Sequence, residues 1–180
     1  MVEMEITTLR ASDDVRAQLS EILIDVVANN GSVSFMHPLA QDVADAFWDD
    51  AFAAAARDER VILGAWHGST LVGTVTLLLA QPPNQPHRAE IAKLMTRPSH
   101  RGRGVATSLM RAAETIAVEL DRTLLVLDTA VDGGAGPLYA RLGFTLTGEI
   151  PDFALKPLGG LTGTLVFWKR IGRAARLHLS

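Results

Sequence analysis

Hydrophobic residues recur along the chain with two different periods, and the changes of period predict where strands and helices lie. Alternation over residues 4–10 predicts a first strand. A helical stripe of apolar residues follows Ser12, a favourable N-cap, and stops at Gly31. A second, alanine-rich helix is predicted over residues 39–57. The chain therefore begins with one strand and two helices.

The middle of the chain is richer in apolar runs. Residues 60–66 and 71–80 predict two strands joined by a hairpin turn, and the near-continuous apolar character of the second is typical of a central strand. Residues 89–96 predict a third strand after a proline-rich loop. Apolar positions then recur at helical spacing over residues 105–120, which predicts a helix.

The last part of the chain predicts three more strands and one short helix. The strands are expected over residues 123–127, 144–150 and 161–171, and the helix over residues 135–142. A loop over residues 151–157 is expected to lie across a ligand site. The order β-α-α-β-β-β-α-β-α-β-β predicts an α/β fold, in which a mixed central sheet is flanked by helices on both faces.

Composition and charge narrow the class of protein. The chain has 180 residues, of which 48% are hydrophobic, so residues 1–171 are expected to form one domain and residues 172–180 a tail. The net charge of −3 predicts no nucleic-acid partner. No apolar run approaches the ~20 residues that span a bilayer, and the N-terminus has no apolar signal segment, so we expect a cytoplasmic protein without membrane contact.

Two residue types limit the available chemistry. The chain has no cysteine, which excludes thiol nucleophiles, disulfides and cysteine-ligated metals. Its histidines show no i, i+4 pair and no nearby carboxylate motif, so no metal site is expected. These histidines are His37, His67, His87, His100 and His178.

A short basic turn carries the clearest chemical signal. Arg101-Gly102-Arg103-Gly104, here named the Arg-Gly turn, lies between the strand at residues 89–96 and the helix at 105–120. The first turn of a helix presents unpaired N–H groups and a partial positive charge, glycine lets backbone approach an anion, and arginine adds charged donors. The turn therefore predicts a phosphate site. It is neither a P-loop nor a complete dinucleotide fingerprint, which needs a third glycine.

Two motifs resemble those of the GCN5-related N-acetyltransferases, which take acyl groups from coenzyme A. Arg101-x-x-Gly104-x-Ala106 resembles the pyrophosphate motif of that family, and residues 132–144 resemble its Asn-x-x-Ala-x-x-Leu-Tyr-x-x-x-Gly-Phe segment, with Asp132 where asparagine is usual. The resemblance implies acetyl-CoA as co-substrate. The residues that it implies for binding acetyl-CoA are Leu94, Met95, Thr96, Arg101, Gly102, Arg103, Gly104, Val105, Ala106, Thr107, Asp132, Ala135, Leu138 and Tyr139.

Four further segments look like the tabtoxin-resistance branch of these acetyltransferases, which acetylates the amino group of a small β-lactam amino acid. They are residues 31–36, 88–95, 127–129 and 148–154. The resemblance implies a small-molecule amine acceptor, with amino-acid-like and β-lactam toxins among the candidates. The residues that would contact the acceptor are Ser34, Phe35, Met36, Asp128, Thr129 and Phe153.

Acyl transfer to an amine needs a base, a polarised thioester carbonyl and a stabilised thiolate. Asp128 is the favoured base, because a carboxylate in a partly desolvated pocket accepts protons more readily. Glu90 is the alternative. It lies six residues before Thr96, ~20 Å along an extended strand, and would act through water. A backbone N–H near Met95 would polarise the carbonyl, and the Tyr139 hydroxyl would act on the thiolate.

Three readings of the function remain open on the sequence. The favoured one is direct acetyl transfer to a small amine in a ternary complex. The alternatives are a non-catalytic acetyl-CoA sensor and a peptide or protein N-acetyltransferase, which would need an extended groove rather than a closed pocket. Homodimerisation through the closing strands is an expectation from the family alone.

Overall fold

The fold is described for residues 4–172 in a computed structural model of the chain. Seven strands and four α-helices lie within these residues, in the predicted order. The strands are β1 (Met4–Thr8), β2 (Arg60–His67), β3 (Thr70–Leu78), β4 (Arg88–Thr96), β5 (Leu124–Ala130), β6 (Thr145–Leu155) and β7 (Leu161–Arg170). The helices are α1 (Asp13–Ala28), α2 (Gln41–Ala55), α3 (Val105–Glu119) and α4 (Gly136–Arg141). None of the described helices has both the length and the hydropathy to cross a membrane.

The strands form one mixed sheet in the order β1-β2-β3-β4-β5-β7-β6. Among the described strands, β4 and β5 are the one parallel pair, and they pair over three positions only, from Arg88 opposite Leu124 to Glu90 opposite Val126. Both strands continue beyond that point and diverge. The sheet therefore splits at the carboxyl ends of β4 and β5.

Helices cover both faces of the sheet, which confirms the predicted α/β architecture. On one face, α1 and α2 bury apolar residues against β2, β3 and β4, with Trp48 fully enclosed. On the other face, the stripe of α3 that includes Leu109 packs on β3 and β4, together with Tyr139 from α4. Gly73 permits this contact, because a Cβ there would lie 2.7 Å from Val105 Cγ1 and 2.9 Å from the Met95 carbonyl oxygen.

A β-bulge interrupts β4 at the split. Thr74 lies opposite Met95 and Thr76 lies opposite Ala92, so two residues of β4, Lys93 and Leu94, face one residue of β3. Lys93 has a left-handed backbone, with φ +51°. The bulge begins three residues beyond Glu90, the last β4 residue paired with β5, and a bulge bends the strand that contains it.

Two boundaries differ from the predicted ones because β7 supplies pairing partners. Strand β5 continues to Ala130, opposite Thr164, rather than ending at Leu127. The predicted loop at residues 151–157 is wrong: β6 continues to Leu155, with an irregular register between Ile150 and Ala154. Proline has no backbone N–H to donate. Pro151 is tolerated because β6 is an edge strand and Pro151 lies in the irregular stretch, where no residue of β7 pairs with it. The predicted tail at 172–180 lies outside the described residues apart from Gly172.

Candidate active site

A cavity of about 330 Å³ lies in the split between β4 and β5, and we name it the β4–β5 cavity. Its walls come from both strands, from α4, from β6 and β7, and from the loop between α1 and α2. It brings together seven of the residues that the sequence analysis assigns to catalysis or binding. They are Ser34, Glu90, Leu94, Asp128, Thr129, Tyr139 and Phe153.

Both candidate bases line this cavity. Asp128 lies within β5 opposite Val166 and accepts a hydrogen bond from the Thr164 hydroxyl at 2.8 Å. Its side chain is exposed, so the desolvation expected for it is not present in this structure. Glu90 lies six residues before the end of β4, but it pairs with Val126, two residues before Asp128. The two carboxylates are therefore near each other in the sheet. Glu90 is half-buried and forms an ion pair with Arg88 at 3.5 Å.

Tyr139 lies beneath the cavity on the buried face of α4. It packs against Phe144 and Phe167, at 6.0 and 5.5 Å between ring centroids, and its side chain is 5% exposed. Burial, and then the negative charge of Asp128, raise the pKa of Tyr139 to about 12, while the polar side chain of Thr129 opposes them. The phenol therefore stays protonated at neutral pH and can donate a hydrogen bond into the cavity.

The Arg-Gly turn has the geometry that anion binding requires. Gly102 and Gly104 have left-handed backbones, with φ +74° and +81°, and no atom lies within 4 Å of the position of a Cβ on either. Gly104 is the N-cap of α3, so the N–H groups of the first turn follow it directly. Arg101 and Arg103 are exposed beside them.

The three residues that follow the Arg-Gly turn, all assigned to acetyl-CoA binding, differ in how far their side chains are buried. The Val105 side chain is buried in the core, so only its backbone N–H can face an anion. Ala106 and Thr107, in the first turn of α3, are half-buried. The turn therefore combines exposed arginine side chains with backbone donors.

Several other assigned residues lie apart from the cavity. Phe35 packs edge-on against Phe47 at 5.2 Å between ring centroids, and Met36 is 46% exposed. Neither is among the residues that line the cavity, and their contact with the acceptor stays a prediction. The Asp132 carboxylate forms an ion pair with Lys156 Nζ at 3.2 Å.

Four residues with proposed contacts to acetyl-CoA surround the split without lining it. Met95 and Thr96 end β4, and Ala135 and Leu138 flank and begin α4. Met95 is buried and the other three are half-buried. Their side chains are therefore largely enclosed by the fold.

Among the cavity residues that were not assigned from the sequence, Lys93 is the one that carries a charge. Lys93 lines the β4–β5 cavity, and its Nζ donates to Ser34 Oγ at 3.1 Å. A signal existed, because Lys93 is the one cationic residue inside the predicted strand at residues 89–96. A lysine in a largely apolar strand needs a polar partner where its charge is buried.

Two histidines that show no pattern in the sequence meet in the structure. His67 ends β2, His100 precedes the Arg-Gly turn, and their ring centroids are 5.8 Å apart. Partial burial, followed by the charges of Arg103, His67 and Arg97, lowers the pKa of His100. Within residues 4–172, no group of three His, Asp or Glu side chains is arranged to hold a metal ion.

Known proteins are similar to part of this chain in sequence and to nearly all of it in fold. Rat (Rattus norvegicus) N-acetyltransferase 8 is 36% identical over 84 residues, which are 46% of this chain and 38% of that protein, so the match spans well under half of the curated relative's length. An N-acetyltransferase from Staphylococcus aureus Mu50 superposes with TM-score 0.80 at 17% identity, covering 94% of this chain and 99% of that one.

A second solved structure is an acetyltransferase, yncA, from Salmonella typhimurium with its cofactor acetyl-CoA. It superposes with TM-score 0.76 at 17% identity and covers 94% of this chain and 95% of that one. At such identities the two structures establish the fold alone. The model of the acetyltransferase (GNAT) family matches residues 26–144, most of the described fold including the Arg-Gly turn and Tyr139. On this match, the chain belongs to the acetyltransferase (GNAT) family.

Proposed function

We propose that this chain transfers the acetyl group of acetyl-CoA directly to the primary amine of a small molecule. The observation that carries the proposal is the split between β4 and β5, with the Arg-Gly turn beyond one end and Asp128, Glu90 and Tyr139 lining the β4–β5 cavity. Ligands of α/β sheets bind at such carboxyl ends, where the topology changes. The family match and the acetyl-CoA of the Salmonella structure support this co-substrate.

Each group of the site would have one task in this reaction. The Arg-Gly turn holds the pyrophosphate, and backbone groups near Leu94 and Met95, which have no β5 partner, bind the thioester end of acetyl-CoA. Asp128 accepts a proton from the acceptor amine. As the amine nitrogen bonds to the carbonyl carbon, the carbon–sulfur bond breaks and its electron pair leaves with the sulfur.

Tyr139 is better suited to stabilise the thiolate than to protonate it. A thiol has a pKa of about 8.5, whereas the pKa of the Tyr139 phenol is raised to about 12. Full proton transfer to the sulfur would be uphill by about 3.5 pK units. A hydrogen bond that strengthens as charge develops on the sulfur requires no such transfer.

The contacts between two segments beside the cavity favour a small acceptor over a peptide. The turn between β6 and β7 is tied to the loop after α1 by two hydrogen bonds: His37 N–H donates to the Pro157 carbonyl at 3.1 Å, and Leu158 N–H donates to Asn30 Oδ1 at 3.3 Å. These contacts hold the turn between β6 and β7 against the loop that carries Ser34, and this restriction beside the cavity favours a small acceptor. Small primary amines, including amino-acid-like molecules and β-lactam toxins, are the proposed acceptors.

The test is release of CoA from acetyl-CoA, followed with a thiol-reactive dye, in the presence of small amines, amino acids and β-lactam amino acids. Because the protein has no cysteine, the whole protein-dependent thiol signal comes from CoA. We expect release that depends on one class of acceptor. Asp128→Asn is expected to lower kcat/KM about 100-fold, and Tyr139→Phe to lower kcat about tenfold or more, with little change in acetyl-CoA affinity.

Glu119→Gln is the matched control, because Glu119 is an exposed carboxylate at the end of α3 and does not line the cavity. It is expected to behave as wild type. Glu90→Gln tests the other candidate base, and a larger loss there than in Asp128→Asn would exchange their roles. Tight binding of acetyl-CoA without release to any acceptor would favour the sensor reading instead.

A further inference from the structure

Lys93 is the one basic residue among those that line the β4–β5 cavity, where it faces two carboxylates, Asp128 and Glu90. Two negative charges favour a cationic amine, but a purely cationic acceptor would leave Lys93 repelling it. The three charges together are complementary to a molecule that carries both an amine and an anionic group.

The contacts of Lys93 leave its charge without a carboxylate partner. Nζ donates to Ser34 Oγ at 3.1 Å and lies 5.7 Å from the centroid of the Phe47 ring. Within residues 4–172, no carboxylate oxygen lies within 4.0 Å of it, although Asp128 is close enough to act on its pKa. Burial lowers the pKa of Lys93 more than Asp128 raises it, and Arg60 lowers it further. An anion bound at Nζ would relieve this desolvation.

Backbone strain accompanies this contact. Lys93 and Ser34 both have left-handed backbones, at φ +51° and +76°, and so does Asp152 at φ +52°, beside the cavity residue Phe153. Such conformations are unfavourable in residues other than glycine, and they persist where the surrounding structure enforces them. Three segments around one cavity therefore hold strained residues, and two of these residues bond to each other.

We propose that Lys93, held in place by Ser34, binds the anionic group of the acceptor while the acceptor's amine faces Asp128. The acceptor would then be a small zwitterion, an amino acid or a close analogue, rather than a simple amine or a polyamine. This inference rests on the proposed acetyl transfer. It adds to it the substrate class and a residue that determines specificity.

The experiment uses acceptors in matched sets: each amino acid, its carboxamide and its decarboxylated amine, assayed by CoA release. We expect wild-type kcat/KM to be about tenfold or more higher for the carboxylate member of the preferred set, the usual scale for one charged contact. Lys93→Met is expected to remove that preference, mainly by raising the KM of the carboxylate member, and to leave the carboxamide little affected. Lys93→Arg keeps the charge and is expected to retain part of the preference.

Arg57→Met controls for the loss of one positive charge, because Arg57 is exposed just after α2 and pairs with Glu59. It is expected to keep the wild-type preference. A structural defect in Lys93→Met would lower activity on all members of a set equally, and that outcome would overturn the assignment. Equal wild-type activity on carboxylate and carboxamide would also overturn it, while leaving the proposed acetyl transfer intact. Failure to acetylate any member would overturn both.

Discussion

At the scale of single residues, Tyr139 shows how an enclosed position changes the chemistry of a side chain. The motif identifies this tyrosine, but its surroundings decide what the phenol can do. Phe144 and Phe167 exclude water from the ring, and Asp128 opposes a second negative charge nearby. Both effects hold the phenol in its neutral form, which makes it a hydrogen-bond donor rather than an acid at neutral pH.

Tyr139 is the single tyrosine of the chain, so its ionisation can be measured directly by phenolate absorbance. We expect half-ionisation near pH 12 in the folded protein and near pH 10 in concentrated guanidinium chloride, where the shielding is lost. Asp128→Asn is expected to lower the folded value, because it removes one of the two causes. A folded protein that titrates at pH 10 would contradict the enclosed phenol.

The same shift has a consequence for stability at high pH. Because the folded pKa lies above the unfolded one, the unfolded chain loses the proton first, between pH 10 and 12. The free energy of unfolding should therefore fall by about 1.4 kcal/mol per pH unit across that window from this group. Denaturant unfolding followed by circular dichroism would measure it, with Tyr139→Phe as the comparison that lacks the effect.

At the scale of elements, the junction of the Arg-Gly turn and α3 depends on backbone conformation more than on side chains. Gly104 holds φ +81° at the N-cap of α3, which an L-residue adopts at a cost of about 1–2 kcal/mol. The strand, the glycine positions and the helical stripe lie within one short stretch, so local sequence was enough to predict this strand–turn–helix junction. The bulge in β4 was not predicted, because it depends on the register with β3.

Gly104→Ala tests this junction, and Gly68→Ala is its matched control. Both glycines have positive φ and open space at the Cβ position, but Gly68 lies in the turn between β2 and β3. We expect both variants to lose about 1 kcal/mol of stability. The KM for acetyl-CoA should rise severalfold in Gly104→Ala only. An equal rise in both, or in neither, would argue against phosphate binding at the turn.

At the scale of the whole molecule, the split sheet would bring both substrates to one cavity. Direct transfer requires acetyl-CoA and the amine to be bound at the same time, and the chain has no cysteine to carry the acetyl group in between. Initial rates measured at several concentrations of each substrate are therefore expected to give intersecting reciprocal plots. Parallel plots, with an acetylated protein detected by mass spectrometry, would contradict a ternary complex.

The elements that the sequence predicted well are those whose signals are local. The stripe of α1 and its Ser12 cap, whose hydroxyl accepts from Val15 N–H at 3.2 Å, specify a helix without reference to the rest of the chain. Errors occurred where a distant partner decided the outcome. Residues 151–155 contain Pro151 and are typical of a loop, but β7 pairs with Ile150 just before them and with Ala154 and Leu155 at their end, which keeps the segment in the sheet.

The sequence by itself determined the order of strands and helices, the mixed sheet between two helical layers, the Arg-Gly turn and the identity of Tyr139. Hydrophobic periodicity and turn chemistry act over a few neighbouring residues, so they can be read along the chain. Only the tertiary structure decided which side chains share the β4–β5 cavity. In the folded chain Phe35 packs against Phe47, Tyr139 is buried, and Lys93 donates to Ser34, 59 positions away in the sequence. Such contacts depend on strand register and on packing between distant segments, which no local pattern contains.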